Sequence, residues 1–467
     1  MEIETRTLHR LTSYEPGREW TDPAGDPRIV QDLVVNDFDR LPWFVKRYPA
    51  GRPRIDLPRE LPPTTASTVD VLAGVAAVPS APVDLGRLLH LSAGIVRTAQ
   101  RPFGTMPFRA AGSAGGRFPL EVYVVVPAGG PLPAGVHWYD PWAHALLQVG
   151  PAPTGEVPAI VVTGVPWRTG WRYRERGYRH IYWDLGTMLS QLTAAAPGST
   201  LYPRFPDDEV NGLVGADGVH EFAVAVVALG RGVPALAATG VAAAGEVDAA
   251  PMEFPLVTAA QRASVSTTLG DPWPAGEPVD GVPAAPVEDV ILARGSVRRM
   301  DPARSVPAEL LRTSMTVALR GIDLPHFVAV HNVDGLEPGL YRWPDLTTPI
   351  RAGDLREEMY EASLEQSLTR DAAFVVITAA DVAALDGPGY RAAQLAAGLV
   401  EGRLHLLAYA LGAGATGMTF RDTDIPGLLG EPLDAMLFTC VGMPEYRRTR
   451  PGGAPGTPTS VHVVPPR

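Results

Sequence analysis

Hydrophobic positions along the chain fall into two series that run in the same order. In the first, "PLEVYVVVP" (119–127) alternates and is rich in β-branched residues, which predicts a strand. "GVHWYDPWAHALLQV" (135–149) predicts a hairpin-like pair, "VPAIVVTGVP" (157–166) another strand, and "GYRHIYWDLGTMLSQLTAAA" (177–196) a long helix. "HEFAVAVVALG" (220–230) closes the series as a strand. The second series opens with a helix at 307–321 and a strand at 325–335. It continues with a pair at 337–353, a strand at 372–381, a long helix at 390–412 and a strand at 435–444.

Setting the long helices side by side aligns Gly186 with Gly398 and, six residues on, Leu192 with Leu404. The hairpins "GVHWYDP" and "GLYRWPD" correspond as well. The chain therefore reads as an internal duplication, with a period too long for a solenoid. Two such units are expected to pack as an intrachain pseudo-twofold pair, as a homodimer would. The expected class is α+β, with mixed sheets flanked by helices. Residues 1–84 form a Pro-rich N-terminal region with one helix-like piece, Arg28–Tyr48, placed to cover one face or touch a peptide. The first unit covers 85–231, with a helical-looking run over Ser67–Thr98 leading into it; 232–287, dense in Gly, Pro and Ala, is a linker; the second unit covers 288–467.

Composition narrows the function. Hydrophobic residues make up 46% and charged residues 19%, as in a globular chain. The net charge of −11, without a basic stripe, argues against nucleic-acid binding. Lys46 is the only lysine, so any chemistry that needs one has a single source. Cys440, the one cysteine, excludes an intrachain disulfide framework and a paired-cysteine metal site, and its apolar neighbours predict a buried thiol. No apolar run reaches the ~18 residues of a membrane span and the N-terminus lacks a signal-like apolar region, so the expectation is a cytoplasmic chain. No G-x-S-x-G elbow and no ligand-spaced His/Asp/Glu cluster is present.

Four segments carry candidate chemistry. "ALGAGATGMTF" (410–420) contains G-x-G-x-x-G, but a helix runs into it where a dinucleotide fingerprint needs a strand before it, so it reads as a helix end and close-packed turn. "ILARGSVRRMD" (291–301) places Arg294, Ser296 and Arg298 on alternate positions, suited to a phosphomonoester or equally to a solvated basic helix end. "RAAGSAGG" (109–116) before a strand is either a plain turn or a place where backbone approaches a flat ligand. "GWRYRERGYRHIYWDLG" (170–186) is a surface helix start salt-bridged through Glu175 and Asp184, or an acid/base and anion-binding wall.

Together these segments resemble the nitroreductase-like flavoenzymes, and within them the azoline dehydrogenases of ribosomal peptide natural products, thiopeptide pathways among them. The resemblance spans about residues 85–455. It implies FMN as cofactor. Arg294, Ser296 and Arg298 would grip its phosphate and ring edge, and Ser113, Ala114 and Gly115 would reach it from the other half. The backbone of Gly417, Met418 and Thr419 would face flavin N5, and Arg448 and Arg450 would contact the phosphate. Each half keeps what the other lacks, which implies one complete site and one degenerate one. The family's Lys-Tyr pair, implicated in deprotonating the ring, corresponds to Arg172 and Tyr173. Arginine stays protonated, so Arg172 stabilises an anion at most and Tyr173 is the candidate acid/base, provided nearby arginines lower its pKa. The implied activity is oxidation of thiazoline to thiazole on a modified precursor peptide, with a cyclodehydratase or leader-binding protein as a further partner. The alternatives are an NAD(P)H-dependent nitro- or ene-reductase and a flavin-free peptide-binding scaffold.

Overall fold

In the computed structural model, which describes residues 3–78, 83–446 and 450–465, two sheets repeat the order seen in the sequence. Helix α1 (Glu4–Leu11), strand β1 (Arg54–Asp56) and helix α2 (Thr68–Ala73) come first. The first unit holds α3 (Leu85–Ala93), β2 (Ile95–Arg101), β3 (Gly104–Arg109), β4 (Leu120–Val126), β5 (Gly135–Asp140), β6 (Ala145–Gly150), β7 (Ala159–Gly164), α4 (Pro166–Tyr173), α5 (Gly177–Ala195), β8 (Thr200–Tyr202), α6 (Asp207–Val214) and β9 (Phe222–Ala228). Helices α7 (Pro255–Arg262) and α8 (Val287–Ala293) lead to the second. It holds β10 (Val306–Pro307), α9 (Ala308–Ala318), β11 (His326–Val330), β12 (Val333–Asp334), β13 (Gly339–Arg342), β14 (Arg351–Ala352), α10 (Arg356–Ala362), α11 (Ser367–Asp371) and β15 (Phe374–Ala380). Then follow α12 (Gly387–Ala410), β16 (Gly414–Met418), α13 (Ile425–Leu429), β17 (Asp434–Gly442) and β18 (Thr459–Ser460).

The strand orders β6-β5-β4-β7-β9-β8 and β14-β13-β11-β15-β17-β16 trace the same path, with β1 added to the edge of the first. All pairing within the two large sheets is antiparallel; β10 with β12 and β18 with β2 pair parallel. The central strands are buried on both faces, which explains their unbroken apolar runs. Val122, Val124 and Val126 of β4 face a core shared by both units, while Tyr123 and Val125 face a separate outer core. Strand β15 divides likewise, with Phe374 and Val376 on the shared side and Val375 and Ile377 on the other.

Helices α5 and α12 cross inside the shared core. A Cβ on Gly186 would lie 2.3 Å from the Gly398 carbonyl carbon, and one on Gly398 would lie 2.5 Å from the Trp183 carbonyl oxygen. The two backbones are thus in direct contact, which only glycine at both positions allows. Helix α12 starts where the Asp386 side chain accepts from the Gly389 N–H at 2.6 Å, and Gly412, at φ +88°, follows its end.

Several expectations are corrected. Arg28–Tyr48 forms no α-helix; its backbone is held by the first unit instead. Val30 N–H donates to the Glu175 carboxylate at 2.8 Å, Asn36 N–H to Trp171 O at 3.1 Å, and Lys46 N–H to Glu121 at 2.8 Å. Ser67–Thr98 divides into α2, α3 and the start of β2, and the 232–287 linker contains α7. The segment after α12 contains a strand, β16, on the edge of the second sheet. Among the described residues no helix is long and apolar enough to cross a membrane.

The N-terminal region is fastened by buried charge. Asp422 accepts from Arg176 at 2.7 Å, Arg179 at 2.5 Å and the Tyr14 N–H at 2.8 Å, and the same arginines donate to Thr12 O and His9 O. Burial alone would raise the Asp422 carboxyl, but the two guanidinium groups hold it well below the usual carboxylate range. Replacing Gly398 by Ala is expected to cost about 1–3 kcal/mol in denaturant unfolding, because the clash is with backbone. Asp422→Asn leaves two buried guanidiniums undercompensated and is expected to cost about 3–5 kcal/mol in the same assay.

Candidate functional site

The turn between β3 and β4 is fixed by α5. Ser113 Oγ donates to Asp184 Oδ2 at 2.5 Å, the Ala114 N–H donates to Asp184 Oδ1 at 2.9 Å, and the Phe118 N–H donates back to Ser113 Oγ at 2.7 Å. Gly115 has φ +59°, and a Cβ there would meet Tyr173 Oη at 2.6 Å and Arg172 Cδ at 2.7 Å. At Gly112 a Cβ would lie 3.4 Å from Arg294 Nη1 and 3.8 Å from Ser296 Oγ. Beside Asp184 a cavity of about 20 Å³, room for one water, is bounded by Ser92, Arg109, Gly112, Ser113 and Met188. The first unit's Gly-Ser-Ala-Gly turn and the second unit's Arg-Gly-Ser-Val-Arg segment therefore meet.

That second segment is held by the end of α12 and by β16. The Val297 N–H donates to Ala415 O at 3.1 Å, Tyr409 Oη donates to Gly295 O at 2.8 Å, and the Arg298 N–H donates to Tyr446 Oη at 3.0 Å. The Arg294 guanidinium is buried, donating to Ala110 O and, at 3.3 Å, to His405 Nδ1. Gly417 packs against α12, where a Cβ would fall 2.2 Å from Glu401 Oε1. Of the expected contacts, Ser113, Ala114, Gly115, Arg172, Tyr173, Arg294, Ser296, Arg298 and Gly417 gather here. Met418 turns into the outer core of the second unit, and Thr419 Oγ1 accepts from Arg176 at 3.2 Å in the N-terminal clamp. Arg450 is exposed, and Arg448 lies outside the described residues.

The electrostatics differ from one expectation. Burial raises the Tyr173 phenol, and the neighbouring Arg172 offsets this only in part, so the expected lowering is reversed. The Tyr173 ring stacks on His180 at 4.0 Å. His180 is buried with neither ring nitrogen hydrogen-bonded among the described residues, and burial, followed by Arg176, Arg179 and Arg172, pushes its pKa well below the usual value. Partial burial, then the positive charges of Arg172 and Arg101, lower the Arg298 pKa against Tyr446 and Tyr173. That mouth suits an anion.

Sequence reasoning passed over Glu401, Thr187 and His405 and treated Asp184 as a surface salt-bridge partner. The available signal was an ionisable residue on an otherwise buried helix: Asp184 between Trp183 and Leu185, and Glu401 one turn before His405. The single lysine is elsewhere. Lys46 Nζ donates to Glu221 at 2.5 Å and to Tyr123 Oη at 2.8 Å inside the outer core of the first unit. No group of His, Cys, Asp and Glu among the described residues is arranged to hold a metal ion.

Two proteins whose names read "putative nitroreductase" are similar to this chain. One, from Methanocaldococcus jannaschii, is 25% identical over 172 residues, 32% of this chain and 83% of that one. The other, a crystal structure from Anabaena variabilis, is 23% identical and superposes with TM-score 0.70 over 95% of this chain and all of its own. The fold is therefore nitroreductase-like and duplicated across the chain. The E. coli microcin synthetase McbBCD complex with truncated pro-MccB17 bound overlaps 32% of this chain and 62% of that one, with 20% identity and TM-score 0.26, too little to bear on chemistry. No family model matches the chain.

Ser113→Ala deletes the hydroxyl that donates to Asp184 and accepts from Phe118. It is expected to lower unfolding stability by about 1–3 kcal/mol, measured by denaturant titration.

Proposed function

We propose that this chain, whose fold is nitroreductase-like, is an FMN-dependent oxidoreductase with one flavin site, acting on azoline rings of a ribosomally made peptide. The observation that supports it most is the meeting of the Gly112–Gly115 turn of one unit with the Arg294–Arg298 segment of the other. The residues present fit the cofactor. The mouth collects the positive charges of Arg298, Arg172 and Arg101, as a phosphate monoester needs. Beside it, Gly112 leaves room next to Arg294 and Ser296. Bound FMN would supply two-electron acceptance from the ring. The chain's own share is to seat the phosphate at Arg298, with Arg448 and Arg450 from the C-terminal segment, to offer backbone from Gly115, and to exclude water.

The restriction to one site follows from the duplication. With Gly186 set on Gly398, Asp184 corresponds to Ala396, Glu401 to Leu189 and His405 to Thr193, so the opposite end of the helix crossing lacks these ionisable groups. The azoline substrate and its precursor-peptide and cyclodehydratase partners rest on the sequence resemblance. Since Arg172 is a fixed cation and the Tyr173 phenol is raised, neither acts as a resting base at neutral pH; their role is to stabilise negative charge and donate a hydrogen bond. A second reading, an NAD(P)H-dependent nitroreductase, has in its favour the names of the two similar proteins.

Purified protein is expected to bind one FMN per chain, read from flavin absorbance against protein concentration; two would overturn the single-site reading. The paired substitution Arg294→Ala and Arg298→Ala is expected to weaken FMN binding at least about tenfold, the loss of one charge-assisted contact or more. Rapid bleaching of bound flavin by NAD(P)H alone would favour the reductase, and colourless protein that does not take up FMN would favour a scaffold.

A further inference from the structure

Beside the Gly112–Gly115 turn, four aromatic rings come together from three segments distant in sequence. Phe44 and Phe103 lie 6.4 Å apart between ring centroids, Phe103 and Phe38 stack at 5.5 Å, and Phe38 meets the Trp171 ring edge-on at 5.4 Å. Arg117 lies against both ends of this row, its guanidinium carbon 5.2 Å from the Phe44 ring and 4.8 Å from that of Trp171. The same buried side chain donates through Nε to Gly115 O at 3.2 Å. The aromatic row and the candidate site therefore share Arg117.

The row is fixed from behind and open in front. Phe38 begins a single helical turn, Phe38–Arg40, capped where the Asp37 side chain accepts from the Asp39 N–H at 3.0 Å. Asp37 O accepts from Trp171 Nε1 at 2.8 Å, and Asn36, at φ +59°, donates its N–H to Trp171 O. Phe103 occupies the two-residue turn between β2 and β3, where Arg101 pairs with Gly104. Phe44 lies two residues before Lys46, whose N–H is tied to Glu121. Phe38 is nonetheless 57% exposed, and Val34 and Val35 on the same strap are exposed with it. A single exposed apolar residue is ordinary; a stacked aromatic pair held rigid beside a site marks a binding face. The strap and its neighbours carry Arg40, Arg101 and Arg172 against Asp32, Asp37 and Asp39, three charges of each sign, so the face favours a neutral occupant.

We propose that the Phe38–Phe103 face is where the peptide substrate docks, an aromatic side chain next to the reacting ring stacking on the pair. This rests on the azoline reading and adds to it a preference for the residue beside the ring. Continuity and size identify the occupant. Arg117 joins the rings to the Gly115 backbone. Arg172, whose Cδ would lie 2.7 Å from a Cβ on Gly115, reaches Asn36 Oδ1 at 3.5 Å through Nη1. A ligand seated at the site and extending past Arg172 thus meets the strap that displays Phe38. The face, Val34, Val35, Phe38 and Phe103, is far smaller than the roughly 20–30 residues a side of a stable protein–protein interface, and it suits one or two side chains of a short ligand. Because both rings are already held in place, stacking a third on them orders only the ligand.

Two synthetic peptides that differ only in Phe or Ser beside a single thiazoline test this on the full chain in the presence of FMN. Isothermal titration is expected to show the Phe peptide binding about tenfold more tightly, the effect of one stacked and desolvated ring. Phe38→Ser is expected to abolish that preference by weakening the Phe peptide alone. Phe103→Ser, on a different element, is expected to do the same, and it supplies the decision if Phe38→Ser does not fold. Trp142→Ala, which removes an exposed aromatic from the turn between β5 and β6, is expected to leave the preference intact. Equal affinity for both peptides, binding of neither, a preference that survives both Phe substitutions, or one lost in Trp142→Ala would overturn the docking face. Mass spectrometry of the peptides separates this result from the azoline reading. A Phe peptide that binds with the expected dependence and is not oxidised removes the azoline and keeps the docking face. Oxidation of both peptides with equal KM keeps the azoline and removes the docking face.

Discussion

The contact on which the rest of the structure depends is between two backbones. Gly186 and Gly398 let α5 and α12 touch without intervening side chains. That fixes where every other residue on the two helices falls. Asp184 lies two residues before one glycine and Glu401 three residues after the other, so the crossing brings them to the same end of the contact. Leu192 and Leu404, six residues beyond the glycines in each helix, are fully buried. The leucines keep the shared core apolar around a small polar island, and a larger residue at either glycine would move that island apart.

The two ends of the crossing have diverged in chemistry while the sheets have not. The six-strand path is the same in both units, yet Asp184, Glu401 and His405 face Ala396, Leu189 and Thr193 as their counterparts. A duplicated scaffold that keeps ionisable groups at one end only concentrates the desolvation cost there. Buried polar groups are expensive unless they are satisfied; Asp184 is satisfied by the Ser113 hydroxyl and the Ala114 N–H, whereas the His180 ring nitrogens have no hydrogen-bond partner among the described residues.

Buried charge also determines how the flanking segments attach. Asp422 joins Arg176, just before α5, Arg179 within it and Tyr14 of the N-terminal region, and Arg176 adds Thr419, just past β16. Lys46 does the same beneath the first sheet, where burial alone would lower its pKa and Glu221 holds it up. Both clusters join pieces far apart in sequence. Residues 28–48 run as an irregular strap because the Val30, Asn36 and Lys46 N–H groups find Glu175, Trp171 O and Glu121 on the first unit in place of a helical ladder of their own.

The duplication, the order of strands and the two long helices were legible in the sequence, because period-2 and period-3.6 apolar patterns follow directly from burial on the faces of strands and helices. The aligned pair Gly186 and Gly398 and the candidate segments at 112–116 and 294–298 were legible too, as local residue choices at positions of close backbone approach. What tertiary structure alone decided was which of these meet. It turned Gly417 from a loop residue into an edge strand packed on Glu401, sent Met418 into a core and Thr419 into a clamp, and raised the Tyr173 phenol by burying it. It also brought Asp184 and Glu401 together. Protonation and hydrogen-bond direction depend on desolvation and on neighbours hundreds of residues away in sequence, and no local pattern along one chain encodes either.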